Sequence, residues 1–176
     1  AGGAVTVDRT TNRVFAGAGG NVVVVDGASG IVLKTIAVGF GYNGGPLGVV
    51  DGLRTVLASG GGNLIRIDAD DLVVLGAVPV PNFGVTAPWT GGFAVDAASE
   101  RVILTYNDPV IILPDYVRAV DATDLTTTLW ALPLAPTTDP TGAIAVDATS
   151  NRVGFFQAGL LFNTIGLVTL DTGAPQ

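Results

Sequence analysis

Four copies of one pattern of short apolar runs, an Asp recurring at the end of the first run of each copy, and the lack of helical periodicity predict an all-β chain. The architecture they imply is a β-propeller of four blade-like repeats, each with up to four antiparallel strands. The first copy runs Ala4-Val5-Thr6-Val7-Asp8 and then Asn12-Arg13-Val14-Phe15. The second has Gly48-Val49-Val50-Asp51 and Arg54-Thr55-Val56-Leu57, the third Phe93-Ala94-Val95-Asp96 and Arg101-Val102-Ile103. The fourth has Ile144-Ala145-Val146-Asp147 and Asn151-Arg152-Val153. The Asp residues at 8, 51, 96 and 147 are 43, 45 and 51 residues apart. A second Asp closes a later apolar run in each copy, at 26, 68, 121 and 171.

Each copy therefore reads as strand, tight turn, strand, variable loop, strand, tight turn, strand. In the first these strands fall at about 3–8, 12–17, 21–26 and 31–38, rich in Val and Ile and bounded by Gly, Asp, Asn and Ser. The blades span about 1–39, 46–80, 91–134 and 142–172 of one domain, 1–176, and the last lacks its outer strand. High hydropathy follows, because a blade buries both faces against its neighbours.

Asp8, Asp51, Asp96 and Asp147 are read as structural: a carboxylate after a strand accepts backbone N–H bonds in an Asx-type turn. Arg13, Arg54, Arg101 and Arg152 would pair with them or cover the blade edge. A metal ligand in each turn is the competing reading, weakened by the lack of a dense series of oxygen ligands. Gly17-Ala18-Gly19-Gly20 and Gly60-Gly61-Gly62 lack the Lys and the following helix of a phosphate loop, and read as hairpin connections.

Composition narrows the chemistry. Histidine and cysteine are absent, which removes imidazole bases, His- or thiolate-bound metals, disulfides and Cys nucleophiles. Fourteen Asp and one Glu against seven Arg and one Lys give a net charge of -7, without a basic cluster, so no nucleic-acid partner is expected. Two uncharged stretches, Leu72 to Val95 and Val153 to Leu170, read as strands and loops, because the first carries three prolines and neither has spanning-helix flanks. No membrane span, metal or cofactor is expected.

Asn12-Arg13-Val14-Phe15, the run Asn21 to Asp26 and Thr35-Ile36-Ala37-Val38-Gly39 resemble the YVTN family of β-propeller repeats. Asn151-Arg152-Val153 repeats the motif, whereas Leu53-Arg54-Thr55-Val56 lacks its Asn. The resemblance covers nearly the whole chain and implies the fold. Related repeats occur in surface-layer proteins, in secreted or periplasmic binding proteins and in quinone-linked dehydrogenase subunits. The motif is structural, so it transfers no catalytic residue.

Two copies stretch their middle loop, one from Tyr106 to Tyr116 and the other from Phe155 to Asn163. In propellers such loops share a face with the connections between blades. Tyr106, Asp108, Ile111, Ile112, Asp115, Tyr116, Phe156, Leu160, Leu161 and Phe162 are therefore the candidate contacts for a ligand or partner, since exposed apolar loops are costly unless covered. The alternative is that these loops fold back and bury themselves. An enzymatic site would draw on Asp108, Asp115 and Asp139, with Tyr42, Tyr106 or Tyr116 as proton donors; the same acids could also hold calcium.

The functional expectation is an extracellular or cell-surface structural propeller that mediates protein–protein assembly through its loop face and open blade edges. The alternative is a secreted or periplasmic enzyme or ligand-binding subunit of hydrolase or quinone-linked dehydrogenase type. The fourth copy stops after its third strand, and only Ala1 and Gly2 precede the first. Open edges pair with other chains, so the expected cover is further blades of a longer parent chain, a second copy in a homo-oligomer, or neighbours in a polymer.

Overall fold

Val- and Ile-rich runs of four to six residues, each stopped by Asp, Asn or Gly, are too short for stable helices and suited to pleated strands. The structure, a computed structural model, describes residues 3–80, 92–106, 116–134, 138–159 and 163–175. Blade one holds β1 (Val5–Asp8), β2 (Arg13–Ala18), β3 (Asn21–Asp26) and β4 (Val32–Ala37). Blade two holds β5 (Leu47–Val50), β6 (Thr55–Gly60), β7 (Asn63–Asp68) and β8 (Val74–Pro79). Blade three holds β9 (Phe93–Asp96), β10 (Arg101–Tyr106), β11 (Tyr116–Asp121) and β12 (Thr128–Pro133). Blade four holds β13 (Thr138–Asp147), β14 (Arg152–Gly159) and β15 (Asn163–Thr169).

Every sheet is an antiparallel meander in chain order, the blade of a β-propeller fold, with four strands in the first three and three in the last. A single bridge, Val168 to Pro175, stands beside β15. The chain divides into two compact units, Ala1–Val80 and Pro81–Gln176, each carrying two blades. Among the described residues, no helix is long and apolar enough to cross a membrane.

Within the first unit, Phe15, Val22, Val24 and Ile36 of blade one meet Val49, Val56, Ile65 and Ile67 of blade two in one apolar cluster. Within the second, Ile103, Val117, Ala119 and Trp130 of blade three meet Val153, Phe155 and Val168 of blade four. Alternation explains this. Successive strand residues face opposite sides, so each blade presents one apolar row forward and another backward.

Backbone chemistry repeats at each turn. The four residues between the first two strands end in a left-handed residue, Asn12, Arg54, Glu100 or Asn151. Its carbonyl accepts from the backbone N–H of Gly27, Ala69, Ala122 or Leu170 in the turn after the third strand. In blade two the hairpin is the two residues Gly61-Gly62, both at positive φ, as a tight hairpin turn demands. A side chain at Gly17 would run into the Tyr42 hydroxyl, 2.3 Å from its Cβ position, which explains the glycine there.

Three alignments differ from the sequence reading. Asp8, Asp96 and Asp147 pair across the ladder with Arg13, Arg101 and Arg152, but in blade two Val50 pairs with Thr55. Asp51 thus lies one residue past the repeated position, exposed in a 3-10 turn over Asp51–Leu53, and Arg54 occupies the left-handed site instead of the first strand position. In blade four the counterpart of Asp26, Asp68 and Asp121 is Thr169, paired with Arg152, while Asp171 sits two residues on in the turn. And β13 begins at Thr138, not near 142: a register shift between Pro140 and Ile144 lets the ladder with β14 continue to Thr138 opposite Gly159.

Candidate functional site

The turn ends of the blades carry the clustered charges. Asp8 is fully buried at the end of β1 and accepts from Thr10 N–H (2.9 Å) and Thr11 Oγ1 (2.6 Å). The Arg54 guanidinium of blade two reaches it with both terminal nitrogens, Nη1 to Oδ1 at 3.1 Å and Nη2 to Oδ2 at 2.8 Å. The same arginine binds Asp70, Nη2 to Oδ1 at 2.7 Å and Nε to Oδ2 at 3.2 Å. Arg13 of blade one crosses the other way, Nη1 donating to the Ala69 and Asp70 carbonyls at 2.5 and 3.2 Å.

The second unit repeats this with one change. Arg101 of blade three donates from Nη1 to the Leu170 carbonyl at 3.1 Å and to Asp171 Oδ1 at 2.9 Å on blade four. It also holds its own blade's Asp96, Nε to Oδ2 at 3.2 Å. Among the described residues, buried Asp96 Oδ1 finds no partner. Blade four carries Asn151 where blade two carries Arg54, and an amide is too short to span the same distance. Beside the clamp, Trp130 Nε1 donates to the Leu170 carbonyl at 2.7 Å, buried between the two blades.

The Arg54 guanidinium, with the Thr11 hydroxyl and Thr10 N–H, holds the Asp8 carboxyl far below the usual range, and Asp8 with Asp70 raises Arg54 further. Asp26 is lowered by the N–H and hydroxyl of Ser29, Asp70 by Arg54, and Asp147 by the hydroxyl and N–H of Ser150. Asp124, capping Thr127 and Thr126, falls to about 2. Every described carboxylate whose ionisation is shifted is shifted downward, the direction of a structural cap and opposite to that of a general acid at neutral pH. The described residues contain no group of three or more His, Cys, Asp or Glu able to hold a metal ion.

The opposite ends of the sheets carry the loop candidates. In blades one and two the second and third strands join through two residues, 19–20 and 61–62. In blade three nine residues, 107–115, separate β10 from β11, and Tyr106 pairs with Tyr116 at their root. Tyr116 is half-buried. Gly92 donates its N–H to Thr105 Oγ1 at 2.9 Å and accepts from it at 3.2 Å, tying the entry of β9 to the end of β10. Phe156 is half-buried on β14, opposite Ile165 of β15. Asp108, Ile111, Ile112, Asp115, Leu160, Leu161 and Phe162 lie outside the described residues. Tyr42 belongs to the core, where burial raises its hydroxyl and the Gly45 carbonyl accepts from it at 3.3 Å.

Sequence reasoning missed Asp70, Asp171 and Trp130 as members of the clamps. A local signal existed for the first two: both follow the third strand by the same interval, two residues after Asp68 and Thr169.

No family model and no curated protein matches the sequence. Solved structures match the fold. Over 94 % of the chain it is similar to Kuenenia stuttgartiensis hydrazine synthase, with a TM-score of 0.73 and 10 % identity, covering 50 % of that chain. Over 99 % it is similar to the dihydro-heme d1 dehydrogenase NirN in complex with DHE, with a TM-score of 0.71 and 16 % identity, covering 36 %. Over 97 % it is similar to a chain of the mitotic checkpoint complex, with a TM-score of 0.70 and 18 % identity, covering 48 %. The chain thus spans half or less of the length of these proteins. Identities this low speak for the fold alone.

Proposed function

We propose that this chain is an extracellular or cell-surface interaction module built from YVTN-type propeller repeats, which binds its partner through the loop end of the second unit. One observation carries the reading: the second and third strands join through two residues in blades one and two, whereas nine residues, 107–115, separate β10 from β11 and the β13–β14 ladder is prolonged at the same end. At the other end Asp8, Asp70 and Asp171 are held in clamps and Asp147 caps its own turn. Loops on a rigid scaffold are where recognition residues are placed.

A second reading is a secreted or periplasmic ligand-binding or catalytic subunit of hydrolase or quinone-linked dehydrogenase type. Its support is that the same fold serves a hydrazine synthase and a dehydrogenase bound to DHE.

Replacing residues 107–115 by Gly-Gly, the turn blade two uses, tests both. The immobilised wild type and the variant are exposed to the source cell's surface and secreted fraction, and bound proteins and small molecules are quantified by mass spectrometry. A protein held by the wild type and lost by the variant supports the interaction module. A small molecule with that behaviour supports the second reading. Identical profiles from both chains overturn binding at this end.

A further inference from the structure

We propose that the exposed face of blade four docks on the exposed face of blade one of a second copy of this chain, repeating the packing that joins blades within each unit. The inference rests on the assembly reading above but uses a different surface, so the loop replacement leaves it intact.

Positions matched by register show what the two faces lack. On the backward row, Val22 in blade one and Val117 in blade three are fully buried against the next blade. The same position in blade four is Ile165, 74 % exposed, followed by Leu167 at 42 %. On the forward row, Leu47 and Val49 of blade two and Ile144 and Val146 of blade four pack into interblade clusters. Their counterparts in blade one, Val5 and Val7, are 61 % and 47 % exposed. One chain therefore displays both halves of an interface it already builds twice. Apolar positions of this kind are covered wherever a neighbouring blade exists.

The charged clamp points to the same partner. Arg13 and Arg101 each donate to the turn after the third strand of the following blade, at Ala69 and Asp70 and at Leu170 and Asp171. The third arginine of this register is Arg152, exposed on blade four. The matching acceptors on blade one are the carbonyls of Gly27 and Ala28, in a turn that is exposed throughout. Arg152 of one copy and Gly27 of the other complete a third clamp, in a head-to-tail contact between different surfaces.

The absence of cysteine permits a direct test. Ile165→Cys and Val7→Cys chains are purified singly, mixed, and treated with a short bis-maleimide, while the wild-type mass is followed by light scattering across concentrations. The expected result is a mass of at least twice 17.7 kDa, with covalent dimers formed in the mixture and not by either chain alone. Ile165→Asp should weaken association about 100-fold and Arg152→Ala about tenfold, while Leu75→Asp, exposed on the outer strand β8, should leave it unchanged. Circular dichroism verifies that each variant stays folded. A monomer at all concentrations without mixed cross-links overturns the proposal. So does a cross-link within single chains carrying both cysteines.

Discussion

Arg54 shows how one side chain serves two carboxylates on different blades. Its fork spans Asp8 and Asp70, and Asp8 is fully buried, so removing the arginine leaves a carboxylate without its counter-charge. Breaking such a pair is costly because the desolvated partner stays behind. Arg54→Ala is expected to lower unfolding free energy by about 3 kcal/mol, read from urea denaturation. Arg54→Lys should recover less than half of it, because an ammonium cannot bind two carboxylates side by side. Full recovery by Lys would mean that charge alone matters, not the geometry of the fork.

At the scale of elements, a sheet tolerates a methyl group only where its neighbours leave room. Gly166 on β15 lies under the Phe155 ring, whose nearest carbon is 2.4 Å from the position of an added Cβ. Gly154 on β14, one strand away, has only Leu167 Cδ2 at 3.6 Å, ordinary contact. Gly166→Ala must push a core aromatic aside and is expected to cost about 2 kcal/mol. Gly154→Ala should stay within about 0.5 kcal/mol of the parent. Paired thermal melts decide the matter, and equal midpoints would contradict the packing of Phe155 over β15.

Across the whole molecule, five aspartates share one direction of shift, at positions 8, 26, 70, 124 and 147. Their folded pKa values lie below those of the unfolded chain, so the folded state binds fewer protons in acid. Stability from these groups is fully present above the unfolded value of about 4 and is lost as pH falls through the folded values. Urea midpoints should be level from pH 7 to about 5 and drop steadily from about pH 4 toward 2. Arg54→Met, which removes the guanidinium that does most to lower both Asp8 and Asp70, should flatten that acid slope. An unchanged slope would show that the clamp does not set the acid response.

The all-β fold, the number of blades and the chemistry of the tight turns at Asp8, Asp96 and Asp147 were determined by the sequence alone, because their causes are local. Alternating Val and Ile define strands, and Asp, Asn and Gly define turns within a few residues of one another. Asp8 and Asp147 illustrate this, since each bonds N–H groups two or three residues away. Partner choice was decided only by the tertiary structure. That Arg54 binds Asp8 of the blade before as well as Asp70 of its own depends on how closely two separate sheets approach, which no repeat pattern encodes. The same holds for the shift from Asp51 to Val50, for Thr169 in place of Asp171, and for the lengthening of β13 past Ile144. Register is a contest between hydrogen-bond ladders and interblade packing, and the spacing of charged residues records neither term.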